Sequence, residues 1–285
     1  MQTTAKTKAT ILSVAGWLAV VVILLVLALT VWSPPGKQDF EAARSLTDRT
    51  HQSYQVMTEA ADRYLKSFTP LYDRGLSPSE VATATTQDRK IFERAYQRHT
   101  DDLEKLGSHK ALRDDLLSKK FTPYEKHDTS FSTYMKNYLE SWPLYLKATR
   151  TTCNDVFSVV KTVEAKDTSS KQYFAAFAKA HQAAAKDCLN DLDVLSKSKN
   201  GPMSNYAEKF ADFVRTRQNT MERTASDELA IASAQQQLLV TLPSDFKTIN
   251  NEFATKYQKD ISELAAQEQF EAFEKAVNKK TKETD

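Results

Sequence analysis

The hydrophobic pattern separates an unbroken apolar run near the N-terminus from a long remainder with helical periodicity. Residues Ile11 to Trp32 form 22 consecutive uncharged positions. A helix rises about 1.5 Å per residue, so the run extends over about 33 Å, enough to cross a hydrocarbon core of about 30 Å. Trp32 lies at the end of the run, where membrane-interface aromatic residues concentrate. The pattern predicts one transmembrane helix, residues 11–32, that inserts into the lipid bilayer.

The alternative interpretation of this run is a cleaved secretory signal. Such a signal has an apolar core of about 7–15 residues, followed by a small-x-small cleavage site. The run in this chain is longer, and Thr30 is a poor residue before a cleavage point. The pattern therefore favours a membrane anchor that is retained.

The orientation of the anchor depends on a narrow charge balance. Lys6 and Lys8 precede the run, and Lys37 and Arg44 follow it within fifteen residues. Basic residues concentrate on the cytoplasmic side of a membrane helix, and the terminal amine adds to the N-terminal side. We therefore expect a short cytoplasmic tail, residues 1–10, and a single-pass protein of the cell membrane whose C-terminal domain is extracytoplasmic.

The remainder of the chain predicts an all-α domain. Only five glycines occur in 285 residues, and strands need turns that glycine commonly supplies. We expect a linker at 33–37, an elongated bundle of long antiparallel helices at 38–279, and a frayed tail at 280–285. The predicted helices are Gln38–Phe68, Pro78–Leu106, Lys110–Lys119, one from Thr122 that Pro143 kinks or splits and that continues to about Lys166, one ending near Lys199, Met203–Leu239 and Ser244–Lys279.

Local signals support several of these boundaries. Ser77-Pro78-Ser79-Glu80 has the composition of a capping box with proline in the first turn. Gly107 is expected in a left-handed conformation after its helix, and Asn200-Gly201-Pro202 predicts a break. In the last helix, one buried stripe follows steps of three and four residues: Phe246, Ile249, Phe253, Tyr257, Ile261 and Leu264.

The two cysteines predict a disulfide. Cys153 and Cys188 lie at nearly equal distances from a predicted turn at residues 167–170. In an antiparallel helical hairpin, such positions lie at the same height, where the Cα atoms can approach to disulfide distance. The alternative is two free, buried cysteines. An extracytoplasmic compartment would favour the bond.

Charge and motif content support few functional classes. The net charge is +2, and the lysines near the C-terminus alternate with acidic residues, so we expect no nucleic-acid partner. Five scattered histidines form no HExxH or paired Glu-x-x-His motif, and Asp48-x-x-His51 occurs once. Ser196-x-x-Lys199 lacks the other elements of a serine–lysine acylase. We therefore expect no catalytic, cofactor or metal site.

An aromatic stripe is the candidate for a ligand or partner groove. Its members follow helical steps of three and four residues: Phe131, Tyr134, Tyr138, Trp142 and Tyr145. Tyrosine and tryptophan can stack on a ligand or anchor a protein interface, although the same spacing is typical of a bundle core. Both interpretations stay open at this stage.

One further pattern concerns two histidines. Phe92 precedes His99 by seven residues, and Phe174 precedes His181 by the same interval, which suggests an internal duplication or a chance similarity of helical segments.

The favoured function is a membrane-anchored, extracytoplasmic helical interaction or scaffold protein of the cell envelope, without a catalytic site, that contacts a protein partner through its helical surface. The first alternative is a ligand-binding sensor domain that acts through a membrane partner. The second, with inverted topology, is a cytosolic membrane tether. The sequence pattern predicts no particular oligomeric state.

Overall fold

A computed structural model describes residues 33–73, 76–154, 156, 171–227, 230–237, 242–264 and 267–284. The predicted transmembrane segment at 11–32 and the predicted turn at 167–170 lie outside these residues. Within them, no helix combines the length and the apolar character that a membrane crossing requires.

The described chain is all-helical and forms a bundle, which confirms the predicted class. The α-helices are α1 (Lys37–Asp73), α2 (Pro78–Ala84), α3 (Thr86–Gly107), α4 (Asp115–Leu146), α5 (Lys171–Ser196), α6 (Gly201–Ser226), α7 (Ile231–Gln236), α8 (Leu242–Leu264) and α9 (Gln267–Glu283). A 3₁₀ turn, Lys110–Arg113, precedes α4, and a π-helical segment, Lys147–Thr152, follows it.

Side-chain caps explain where three of these helices begin. The Ser77 hydroxyl accepts a hydrogen bond from the Glu80 amide, and the Glu80 carboxylate accepts from the Ser77 amide, so the predicted capping box is confirmed. Asp114 accepts from the amides of Leu116 and Leu117 at the start of α4. Asn200 accepts from the Met203 amide at the start of α6. Each cap satisfies amides that a helix N-terminus leaves without intrahelical partners.

Three prolines lie inside helices, although the sequence pattern places Pro70 after a helix end, Pro123 at a helix start and Pro143 at a kink or break. Helix α1 continues past Pro70 to Asp73, and α4 contains both Pro123 and Pro143. The predicted start at Thr122 is therefore wrong, because Asp114 begins the helix earlier. An interior proline costs about 3 kcal/mol. Leu117 and Phe121 lie on the added turns and are buried in the core, which offsets this cost.

Other helix ends differ from the prediction in smaller ways. Gly107 is the last residue of α3 and has no left-handed backbone, because Ser108 closes the helix in a right-handed conformation. The single helix expected to Leu239 ends at Ser226, since Asp227 is extended. The final predicted helix is divided into α8 and α9, and α9 extends to Glu283 through most of the expected frayed tail.

The core consists of clusters between specific helix pairs. Helices α5 and α6 form an antiparallel hairpin, α8 packs on α6 and α4, and α3 packs on α1. Helix α9 packs on α4 and α1, where Phe273 is fully buried beside Phe121 and Tyr124. Burial of such a side chain contributes about 1.5–3 kcal/mol. The stripe of α8 faces the core as predicted, but all six of its residues are only partly buried.

Candidate functional site

A buried polar cluster joins α1, α3 and α4. Its members are Ser53, His99, Asp128 and Ser132. The His99 Nε2 atom lies 2.6 Å from Oδ1 of Asp128, and the Ser53 Oγ atom lies 3.2 Å from the His99 Nδ1 atom. The Ser132 hydroxyl donates to the same Asp128 oxygen at 3.3 Å. The three helices therefore share one hydrogen-bonded network inside the core.

The residue types of this cluster match those of a serine hydrolase triad, but the burial does not suit catalysis. Ser53 is 3% exposed, and His99 and Asp128 are each 1% exposed. A nucleophile must be accessible to its substrate, and a base must reach the proton that it removes. The arrangement instead gives both ring nitrogens of the buried His99 a partner and fixes the relative positions of three helices.

The charge of Asp128 affects two nearby phenols. Burial, assisted by the Asp128 carboxylate, raises the pKa of Tyr54 to about 12. Burial also raises the pKa of Tyr124, with a further contribution from Asp128. Both phenols are therefore neutral at physiological pH.

An open cleft lies beside this cluster, between α3 and α4, with α1 at its base. We call it the α3/α4 cleft. Its volume is about 450 Å³. Its floor is apolar and aromatic, and its rim is charged. The lining residues are Tyr64, Arg89, Phe92, Glu93, Tyr96, Gln97, Lys136, Leu139, Glu140 and Pro143.

Ionic contacts position the rim of the α3/α4 cleft. The Arg89 Nε atom lies 2.8 Å from Oε1 of Glu93, one turn further along α3. The Lys136 ammonium group, on α4, lies 5.2 Å from the centre of the Tyr96 ring. Cation–π contacts of this kind hold a cation over an aromatic face. The cleft thus presents both signs of charge above an apolar floor, which suits an amphipathic protein segment or a zwitterionic ligand.

The structure separates the members of the predicted aromatic stripe. Phe131 and Tyr138 are buried, whereas Tyr134, Trp142 and Tyr145 are partly buried. Phe131 faces Tyr54 of α1, with ring centres 5.5 Å apart. The other four residues form a stacked series along α4, in which Trp142 lies 5.4 Å from Tyr138 and 5.1 Å from Tyr145.

Aromatic residues of α8 and α6 cover this stacked series. Tyr257 lies 4.6 Å from Tyr138, and Phe253 lies 5.2 Å from Tyr145. Tyr206 of α6 also contacts Tyr145, at 5.3 Å. Burial raises the pKa of the Tyr138 and Tyr145 hydroxyls. The chain's own helices therefore occupy the face that the sequence offered as a possible groove, which corresponds to the core interpretation of the stripe.

The two cysteines lie together in the core beside the α5–α6 hairpin. Their sulfur atoms are 2.04 Å apart, at disulfide distance, and both side chains are fully buried. Cys153 follows the π-helical segment, where its amide donates to the Ala148 carbonyl, and Cys188 lies on α5. The pair thus links the end of the π-helical segment that follows α4 to α5, and the two cysteines are the predicted pair.

The histidines do not converge on a metal site. Among the described residues, no group of three or more His, Cys, Asp or Glu side chains could hold a metal ion. His51 stacks on Phe270, with ring centres 4.4 Å apart. His99 and His181 are both buried, but His181 contacts Gln218 where His99 contacts Asp128 and Ser53. These different partners give the suggested duplication no added support, and it stays a hypothesis.

The sequence pattern does not indicate the α3/α4 cleft or the buried polar cluster. The available signals were two polar residues, His99 and Asp128, on otherwise apolar helix faces, and the neighbouring Phe92 and Tyr96 on α3. A polar residue within an apolar stripe indicates a buried partner, yet the identity of that partner depends on the helix packing. Comparison of the whole chain with family models, with curated proteins and with solved structures finds no match.

Proposed function

We propose that this protein is a membrane-anchored, extracytoplasmic helical interaction module of the cell envelope, without a catalytic site, that holds a segment of a partner protein in the α3/α4 cleft. The anchor is the apolar run at 11–32. The cleft carries the proposal, because it combines the partly exposed ring of Tyr96 with arginine and a charged rim. Aromatic residues and arginine are enriched where proteins bind one another.

The cysteine pair supports the extracytoplasmic location. Disulfides persist in oxidising compartments and are rare in the cytosol. Cys153 and Cys188 are at disulfide distance in the core. Proteolysis of sealed cells tests the location: we expect the C-terminal domain to be degraded while the N-terminal tail is protected. Degradation only after lysis would contradict this location and favour the cytosolic tether.

Site-specific photo-crosslinking tests the cleft. A photoreactive residue at Gln97, in the cleft, should give a discrete protein adduct in intact cells. The same residue at Gln52, exposed on α1 outside the cleft, is the matched control and should not give this adduct. We expect Lys136→Glu to reduce the Gln97 adduct several-fold, because it reverses a rim charge, and Lys126→Glu on the same helix to leave it unchanged.

Two results would contradict the cleft as the interaction site. One is the same adduct from Gln52 and Gln97. The other is an equal effect of the two lysine substitutions, since Lys126 is exposed but does not line the cleft. Circular dichroism of each variant provides the check that the helices are intact.

The size of the cleft also favours the sensor as a second candidate function. Small-molecule sites have volumes of about 300–1,000 Å³, and the α3/α4 cleft, at about 450 Å³, falls in this range. A thermal-shift screen of zwitterionic compounds tests this function. If the protein is a sensor, one of the compounds should stabilise it, and this stabilisation should be lost in Lys136→Glu and kept in Lys126→Glu. The absence of any stabilising compound, together with a specific Gln97 adduct, would favour the interaction module.

A further inference from the structure

Charge is unevenly distributed in the bundle, with an excess of basic residues at the end where α1 begins. We define the basic end as residues 37–44, 104–120 and 275–284. These segments contain eleven lysines and arginines against six acidic residues. Of the 39 basic residues of the chain, Lys6 and Lys8 precede the apolar run. The remaining 37 basic residues equal the 37 acidic residues in number, so the chain after Lys8 has no net charge. The rest of the bundle therefore carries a compensating negative charge.

The three segments of the basic end are joined by packing and by ion pairs. Phe40 of α1, Leu117 of α4 and Val277 of α9 belong to one buried cluster. The Lys110 Nζ atom lies 3.0 Å from Oδ2 of Asp39. The Lys280 Nζ atom lies 2.8 Å from Oδ2 of Asp114. The segments thus form one surface, although they are distant in sequence.

Some cations on this surface are available to an external anion. Lys120 and Lys282 are exposed. No carboxylate of the described residues lies within ion-pair distance of either one, whereas Lys110 and Lys280 neutralise carboxylates of the bundle. The positive charges of Lys120 and Lys282 therefore face solvent instead of being neutralised within the fold.

The basic end is also the part of the bundle nearest the proposed anchor. Only residues 33–36 separate Trp32 from the first residue of α1. Four residues extend over at most about 14 Å. The electrostatic field of a charged membrane decays over a Debye length of about 8 Å at physiological salt. The first residue of α1 therefore lies within about two Debye lengths of the end of the anchor, where part of a membrane surface potential still acts, and anionic lipids attract basic residues near the membrane surface.

We infer that the basic end binds the anionic headgroups of the membrane that holds the anchor. This inference rests on the proposed anchoring. Contact between the basic end and the lipid surface orients the bundle, because α1, α4 and α9 all end or begin there. The α3/α4 cleft, which begins near the opposite end of α3, then points away from the membrane toward a partner.

Amine labelling of the full chain in lipid nanodiscs tests the inference. One set of discs contains phosphatidylcholine, and in the other set phosphatidylglycerol replaces part of it. We expect acetylation of Lys120 and Lys282, followed by peptide mass spectrometry, to be at least about threefold slower in the anionic discs. Lys90, exposed in the first turns of α3 and about 22 Å along the helix from Lys105, is the internal control and should react equally in both.

Salt and charge reversal distinguish electrostatic binding from burial. Raising the salt from about 0.15 M to about 1 M shortens the Debye length from about 8 Å to about 3 Å and should remove the difference. Lys279 is exposed on the same surface, and its acetylation should also be slower in anionic discs. The double variant Lys120→Glu/Lys282→Glu should lose this protection of Lys279, while Lys90→Glu should retain it. Circular dichroism monitors the fold of both variants.

Each contrary outcome has a distinct meaning. Equal labelling rates in the two kinds of disc would overturn lipid binding by the basic end while leaving the anchor intact. Slower labelling in neutral discs supplied with inorganic phosphate would overturn the lipid surface as the occupant. Failure of the chain to co-elute with either disc would overturn the anchoring, and with it this inference, before any labelling is measured.

Discussion

Replacement of His181 by glutamine tests how the α5–α6 hairpin responds to acid. His181 lies on α5 and is fully buried, and its Nδ1 atom is 2.6 Å from Oε1 of Gln218 on α6. The amide oxygen accepts, so Nδ1 carries the proton. The Nε2 atom is buried without a hydrogen-bond partner among the described residues. Burial lowers the pKa of His181 to about 4, the Gln218 hydrogen bond partly opposes this, and the Arg217 charge lowers it further.

The sign and size of the effect follow from this pKa. The unfolded chain binds the proton near pH 6.5, while the folded chain binds it only near pH 4. As the pH falls from about 6.5 to about 4, the unfolded state therefore gains stability relative to the folded state. A difference of about 2.5 pKa units corresponds to about 3 kcal/mol in the free energy of unfolding. This contribution is complete above pH 6.5 and is lost toward pH 4.

Urea unfolding at a series of pH values measures the effect. The free energy of unfolding of the parent protein should fall more steeply between pH 6.5 and 4 than that of His181→Gln, by about 3 kcal/mol over the whole interval. Any constant packing cost of the substitution cancels in this comparison of slopes. Parallel pH profiles for the parent and His181→Gln would refute the argument that His181 is buried in its neutral form.

Three further predictions concern the core. Cys153→Ser should lower the free energy of unfolding by at most about 4 kcal/mol, because the pair closes a loop with a sequence separation of 35. In the parent protein, mass spectrometry of thiol-blocked, non-reduced peptides should show the two segments linked. Asp128→Ala should cost about 1–3 kcal/mol in urea unfolding, since it leaves the buried Nε2 atom of His99 without its hydrogen-bond partner. Phe273→Ala should cost about 3–5 kcal/mol, whereas Phe246→Ala, at a half-buried position, should cost clearly less. Equal losses for the two phenylalanines would contradict the packing of α9 and α8.

The helical class and several helix starts could be predicted because they depend on local chemistry. The capping box at Ser77 and the start of α6 at Asn200 each use residues within one turn. The passage of α4 through Pro123 and Pro143 could not be predicted in this way. The continuation through Pro123 depends on buried contacts of Leu117 and Phe121 with other helices, and tertiary packing there outweighs the local cost of proline.

Periodicity predicted which face of a helix turns inward, but not how deeply that face is buried. The α8 stripe and the apolar positions of α9 follow similar spacing. Phe273 on α9 is fully buried between α1 and α4, while Phe253 on α8 is only partly covered. The depth of burial depends on how many helices surround the stripe, and that number is a property of the assembled bundle.

The α3/α4 cleft arises from the same packing that forms the buried polar cluster. The His99–Asp128 contact brings α3 and α4 together at one height. The cleft extends from this contact toward the N-terminal end of α3 and the C-terminal end of α4. Along it, the lining residues Phe92 and Leu139 are buried, and the charged rim is open to solvent. A hydrogen-bonded contact in the core therefore sets the position from which the cleft widens. Loss of Asp128 should thus weaken the proposed binding of a partner as well as stability, because a cleft bounded by two helices keeps its shape only while their spacing is held.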